Sequence, residues 1–205
     1  MIESLEEYEA IIFETIQDYL NKKRVFSMEK LIPYLKLTLG RSEININHRG
    51  IQKILISLVE KNMIIEGTTL TRKDVLMNSK RKKINDYIKE NPGKYVNKIA
   101  KELKIGSNVV FWHLDILLKF SFIKKRNIDN HIVYFDSNIN LKDTDKLYLT
   151  SKEKCKRIIN YLKINNFGIT KTHISRELNI HRNTIDKYIN SLEKFNLIKK
   201  AKISN

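Results

Sequence analysis

Apolar residues recur at helical spacing over most of this 205-residue chain, and the first such run covers about residues 4–22. Leu5, Tyr8, Ile12, Ile16, Tyr19 and Leu20 fall on one face there, which predicts a long amphipathic helix. Ser27 stands as the N-cap of a second helix carrying Leu31, Ile32 and Leu35, with Gly40 as its end. A polar loop leads to a third helix at about 48–61, with Ile51, Ile54, Leu55 and Leu58 on its core face. Residues 63–71 read as two short strands around Gly67. The pattern then starts again. Ile84, Tyr87 and Ile88 mark a helix at about 79–90, stopped by Asn91-Pro92-Gly93. Helices at about 96–104 and 108–120 come next, with the turn at Gly106 and Ser107 as the cap of the second. Residues 122–127 and 131–135 read as strands, with Ile128-Asp129-Asn130 at the tip between them. The stretch 137–150 is polar and reads as a linker with about one turn of structure. Three more helices are expected at about 152–165, 171–178 and 182–195, with Thr170 capping the second, and the tail after them leaves room for a single strand.

The chain repeats itself. Residues 98–125 lie on residues 173–200 without a gap. Ile99 meets Ile174, Glu102 meets Glu177, Leu103 meets Leu178, Asn108 meets Asn183 and Leu117 meets Leu192. Phe120, Ile123, Lys124 and Lys125 meet Phe195, Ile198, Lys199 and Lys200. An internal repeat defines the folding unit before any one residue is interpreted. This unit is a helix, a tight turn, a second helix and an apolar exit into a basic strand, the layout of a helix-turn-helix with a wing. The segment LVEKNMI in the first part of the chain matches LLKFSFI in the second, so the first part is a more divergent copy. The expected fold is mainly α with small β-wings, as three tandem winged-helix units at 1–77, 78–140 and 141–205.

Charge separates these units. The formal net charge is +16. Residues 1–77 carry 11 basic and 11 acidic side chains, residues 78–140 carry 13 and 6, and residues 141–205 carry 15 and 6. A compositional bias would have touched all three, so the excess points to a polyanionic partner for the later two. The acidic N-terminus lacks a signal-peptide pattern, no run is long enough for a membrane helix, and Cys155 is the sole cysteine, which suits a reducing cytoplasm.

The repeat assigns Val110, Leu114 and Leu117, and likewise Ile185, Ile189 and Leu192, to the core, so the residues between them face outward. In the third unit these are Arg182, Asn183, Thr184, Lys187 and Asn190, groups that suit base edges and phosphates. In the second they are Ser107, Asn108, Phe111, Trp112 and Asp115, with Ile116 and Leu118 nearby. Two readings of that aromatic face stand: a protein interface at Phe111, Trp112 and Ile116, or apolar contact with thymine methyls. The wing, with Lys124, Lys125, Arg126 and His131, is the stronger DNA candidate in this unit. The first unit offers Asn47, His48, Arg49, Gln52 and Lys53, but its acidic helix, with Glu3, Glu6, Glu7 and Glu9, would repel DNA, so docking or dimerisation suits it equally.

Catalytic constellations are absent from the sequence. There is no Gly-rich phosphate loop, the five histidines show no metal spacing, and one cysteine builds no thiolate site. His113 aligns with Tyr188 and reads as a core residue, and Cys155 as a small packed one. Neither enzymatic activity nor a cofactor is expected.

Residues 79–135 resemble archaeal winged helix-turn-helix transcription regulators of the broad MarR/ArsR-like type. The resemblance rests on the helix before Asn91-Pro92-Gly93, on IAKEL, on NVVFWHLDIL, and on FIKKRN followed by HIVYF. Residues 152–200 follow the pattern more loosely and 4–71 only weakly. Ser121 and Asn196 stand where many such regulators have glycine, and the cysteine clusters of the metal-sensing members are missing. The resemblance implies binding of double-stranded DNA and transcriptional control. A cytoplasmic, nucleoid-associated location, a homodimer or partner protein, and no membrane insertion are also expected. The alternative from another class is a protein-assembly scaffold, like the tandem winged helices of ESCRT-II subunits or accessory RNA polymerase subunits. The Phe111–Trp112 face and the neutral first unit are the features that would serve it.

Overall fold

A computed structural model of the chain describes residues 5–42, 44–165 and 168–199. Its helices are α1 (Leu5–Asn21), α2 (Met28–Arg41), α3 (His48–Glu60), α4 (Arg72–Val75), α5 (Ser79–Glu90), α6 (Val96–Leu103) and α7 (Ser107–Lys119). A two-stranded antiparallel sheet comes after them, β1 (Ile123–Ile128) and β2 (His131–Asp136). Next are a 3-10 turn at Leu141–Asp143 and helices α8 (Thr144–Ser151), α9 (Glu153–Ile164), α10 (Lys171–Leu178) and α11 (Arg182–Lys194). The protein is thus mainly helical with one small sheet. It divides into two compact units, the first taking residues up to 87 with 99–124, the second taking 88–98 and 125 onward. The boundaries fall inside α5, α6 and β1.

In the first unit the apolar stripes of α1, α2 and α3 close on one another. Ile12 and Ile16 meet Leu31 and Leu35 together with Ile51, Leu55 and Leu58, all with 1% exposure or less. Each such side chain withdrawn from water contributes about 1.5–3 kcal/mol, which is why short helices of modest propensity hold. In the second unit α9, α10 and α11 repeat the arrangement around Ile158, Ile174, Ile185 and Leu192. Cys155 is fully buried there, and burial pushes its thiol up to about 11, leaving it protonated and inert. The expected Leu5, Glu3 and Lys200 positions, and the strand expected beyond Lys199, lie outside the described residues or side chains.

The repeat extends to the backbone. The third helix of each group ends on a residue in the left-handed region: Asn62 (φ 53°), Ser121 (φ 54°) and Asn196 (φ 55°). Around each one the same pair of bonds forms. The Ser121 N–H donates to Leu118 O at 3.0 Å and the Phe122 N–H to Leu117 O at 2.9 Å. The counterparts are Asn62 to Val59 with Met63 to Leu58, and Asn196 to Glu193 with Leu197 to Leu192. This pairing closes the helix end and turns the chain away from the helix axis. Glycine is therefore dispensable at Ser121 and Asn196: the turn geometry is kept, at a cost of roughly 1–2 kcal/mol that asparagine eases more than serine. The wing turn uses the same region at Asp129 and Asn130 (φ 51° and 62°), as a two-residue hairpin demands.

The segment before the second helix joins the wing in two of the groups. The Gly93 N–H donates to Tyr134 O at 2.8 Å, and the Tyr134 N–H to Lys94 O at 2.9 Å. In the first unit the Phe26 N–H donates to Thr68 O and the Gly67 N–H to Phe26 O, beside a single Ile64–Thr71 bridge. The small wing expected there is reduced to that bridge.

Some expectations need correction. The third helix of the second group is capped by Gly106, not Ser107, which is already the first helical residue. Ser27 does occupy the N-cap of α2 but makes no side-chain cap bond, and α2 continues one residue past Gly40. Thr170 caps α10, accepting from the His173 N–H at 3.2 Å. The polar stretch 137–150 contains a two-turn helix, α8, in addition to the 3-10 turn. It is held because Tyr148 packs with Val133 and Phe135, and Thr144 is fully buried.

Gly93 is where this packing is tightest. Its φ is +79°, and a Cβ there would lie 3.2 Å from the Tyr148 Cα and 3.3 Å from its ring. Gly93→Ala is expected to destabilise the protein by about 1–3 kcal/mol in urea unfolding, from the left-handed backbone and the backbone contact together. An unchanged midpoint would show that α8 does not pack on this turn.

Candidate nucleic-acid interface

The apolar stripe of α11 turns Ile185, Ile189 and Leu192 inward and leaves Arg182, Asn183, Lys187 and Asn190 exposed, with Thr184 half-buried. His181 caps the helix, its Nδ1 accepting from the Asn183 N–H at 3.3 Å. The Arg182 guanidinium is held on one side: Nη1 donates to the Thr172 hydroxyl, and Nε lies 4.0 Å from Asp186. Asp186 is itself paired with Lys171 at 2.6 Å. Asp186 is thus offset by two cations.

From Lys125 onward the two strands share the second unit with α11. The tip carboxylate of the wing, Asp129, is bound by Lys152 at 2.6 Å, and that hydrogen bond is the main reason its acid lies below the usual carboxylate range. Lys187 and His131 add to the same lowering, so the wing tip and the middle of α11 share one electrostatic neighbourhood. On β1, Lys125 is exposed and Arg126 is 3.6 Å from Asp145. His131 stacks on Tyr95, centroids 5.4 Å apart. Lys125, Arg126 and the five α11 residues therefore fall in one unit, whereas Ser107, Asn108 and Lys124 belong to the other.

On α7 the outward face is aromatic, as the repeat implied. Ser107 and Asn108 are exposed, Phe111 is 63% and Trp112 56% exposed, and Ile116 is half-buried. Asp115 pairs with Lys119 at 3.0 Å. On α3, Asn47 is the N-cap, accepting from the Gly50 N–H at 2.8 Å, so its side chain serves the helix; His48, Arg49 and Lys53 are exposed and Gln52 is half-buried.

Behind α7, His113 is 3% exposed, the core position expected of it; the charge of Arg81 acts on it, and Asn85 lies one turn along α5 from Arg81, two residues that apolar spacing passed over. Arg81 and Asn85 are 3% and 0% exposed. Arg81 Nη1 donates to Val75 O at 2.8 Å, and its guanidinium carbon lies 5.5 Å from the centroid of the Trp112 ring. Burial, then the charges of Arg81 and Lys80, hold His113 below its ordinary value. A signal was present: Arg81, Asn85 and Ile88 fall at i, i+4 and i+7, which places two polar residues on a core stripe.

The unfolded chain's imidazole titrates near 6.5 and the folded one lower, so below 6.5 the unfolded chain binds more protons. Stability is therefore expected to be level above that value and to fall as pH drops beneath it. In His113→Leu this acid-side slope is expected to flatten, read from urea midpoints across about pH 5 to 7.

Among the described residues no helix is long and apolar enough to cross a membrane, and no group of three or more His, Cys, Asp or Glu side chains is placed to hold a metal ion. No family model matches the chain, and no solved structure matches it. Over 136 residues it is 29% identical to an uncharacterised HTH-type transcriptional regulator of Methanocaldococcus jannaschii. The match covers 66% of this chain and 34% of that protein, so the chain spans about a third of the length of the relative it matches.

Proposed function

We propose that this protein is a DNA-binding transcription regulator of three consecutive winged-helix units, at residues 1–77, 78–140 and 141–205. The observation that carries the reading is the outward face of α11: Arg182, Asn183 and Lys187 exposed opposite a continuous apolar stripe, in the most basic third of the chain. The similarity to a protein named as an HTH-type transcriptional regulator supports it. In this reading Arg182, Asn183, Thr184 and Asn190 meet base edges, and Lys187, Lys124, Lys125 and Arg126 meet phosphates. Ser107 and Asn108, at the exposed start of α7, are the corresponding contacts of the second unit. A hydroxyl steadies the Arg182 guanidinium, which lowers the entropy lost on forming a contact with its remaining N–H groups.

A salt titration of duplex binding tests this. A protein touching about six phosphates loses several decades of affinity between roughly 50 and 200 mM salt. Arg182→Ala is expected to cost about 1–3 kcal/mol, and Lys187→Ala to weaken all sequences alike and lower the salt slope by about one. Absence of measurable duplex binding at low salt overturns the proposal.

A second reading, a protein-assembly scaffold, is favoured by Phe111 and Trp112 alone, two large aromatics left exposed side by side. If that face is an interface, changing both to serine reduces the mass measured by light scattering or abolishes partner capture, while the fold is kept. An unchanged mass and unchanged capture in a folded double variant rule it out.

A further inference from the structure

We propose that Arg81, Asn85 and His113 form a binding site for a carboxylate, covered on its solvent side by Trp112. Four buried polar atoms at this place have no hydrogen-bond partner: Arg81 Nε, both amide atoms of Asn85, and His113 Nδ1. Arg81 satisfies only part of its fork, through Val75 O, and no acidic side chain pairs with it among the described residues. A guanidinium withdrawn from water without a counter-charge is costly, and so is each orphaned amide atom.

The scaffold does not demand this chemistry. Helices α5 and α9 are both twelve residues long, and α7 and α11 both thirteen, so positions correspond one to one. Where α5 has Arg81 and Asn85, α9 has Cys155 and Ile159; where α7 has His113, α11 has Tyr188. Those three belong to or pack on an apolar cluster. The same frame therefore closes with apolar residues in one copy and with a cationic, donor-rich trio in the other. The difference lies in what the site can hold.

The trio is suited to an anion. Arg81 Nε–H, the Asn85 Nδ2–H groups and a proton on His113 Nδ1 are donors, three of the four unpartnered atoms, with Asn85 Oδ1 the one acceptor, and the charges acting on His113 are Arg81 and Lys80, both positive. A planar carboxylate accepts two parallel bonds from one edge of a guanidinium. A neutral ligand would leave the buried charge unmatched, and a cation would be repelled. The carboxylate belongs to a small organic acid or to an acidic side chain of another protein. Access is through Trp112, whose ring lies over the guanidinium while 56% of it remains exposed. A ligand here bears directly on α7, because His113 and Trp112 are α7 residues.

Trp112 is the chain's only tryptophan, so its fluorescence reports this place alone. Sodium acetate, titrated against sodium chloride at constant ionic strength and without DNA, is expected to give a saturable change in emission and a rise in Tm. Acetate stands for the free-acid source; a peptide bearing a single glutamate, titrated in parallel, represents the protein source. Arg81→Met is expected to abolish the response to both and to be at least as stable as the native protein in chloride. Asn85→Leu is expected to weaken it about tenfold or more, and Lys82→Ala, an exposed neighbour, to leave it unchanged. Should Arg81→Met fail to fold, Asn85→Leu carries the comparison. No saturable response to either probe overturns the site, as does an undiminished response in the Arg81 and Asn85 variants. Because no DNA is present, the result is independent of the nucleic-acid reading.

Discussion

Each group of helices depends on burying three or four aliphatic residues, spaced a turn apart, on its last helix. In α3 these are Ile51, Ile54, Leu55 and Leu58, in α7 Val110, Leu114 and Leu117, and in α11 Ile185, Ile189 and Leu192, none more than 5% exposed. The helices that precede each one draw most of their stability from covering this stripe. Once the stripe is inward, the rest of the helix has no choice of direction. Arg182 and Lys187 face outward because Ile185 and Ile189 face inward, and Phe111 and Trp112 face outward for the same reason on α7.

The exits obey the same demand. A helix packed by its last turn must leave that turn abruptly if the chain is to return over the core, and a left-handed residue with a paired set of backbone bonds does this at Asn62, Ser121 and Asn196. Beyond a shared exit, the segments after Asn62 and Ser121 diverge. After Ser121 a two-residue turn joins strands of six residues each, whereas after Asn62 only one bridge forms. The apolar residues of β2 decide this: Val133, Tyr134 and Phe135 are buried, and Phe135 in turn supports α8 through Tyr148.

The same core position can be filled in two chemical ways. The second unit packs Cys155, and its thiol is inert. The first places Arg81 and Asn85 on the equivalent helix stripe and keeps His113 neutral against them. A buried cation beside a buried imidazole raises the sensitivity of that unit to acid, because protonation would put two like charges in a medium that screens them poorly.

The positions of the longer helices, the two-helix repeat and the inward and outward sides of α7 and α11 were legible in the sequence, since all rest on apolar spacing, a local property with a fixed period; the one-turn α4 was not. Helix α8 was not legible either, because its stretch is mostly polar and its anchors, among them Tyr148 against Gly93 and Phe135, come from residues distant in the chain. The N-cap at Gly106 escaped for a related reason: serine is the better cap, but the chain enters α7 one residue earlier than capping chemistry alone prefers. His113 was placed in the core by its alignment with Tyr188. Arg81 and Asn85 carry polar side chains that spacing arguments assign to solvent, and only the closing of α5 on α7 beneath Trp112 turns them inward. Sequence alone thus determined the scaffold and its outward faces, through the period of its apolar residues. Tertiary packing alone decided which polar groups of α5 lose water, because burial is a property of neighbours that no local pattern contains.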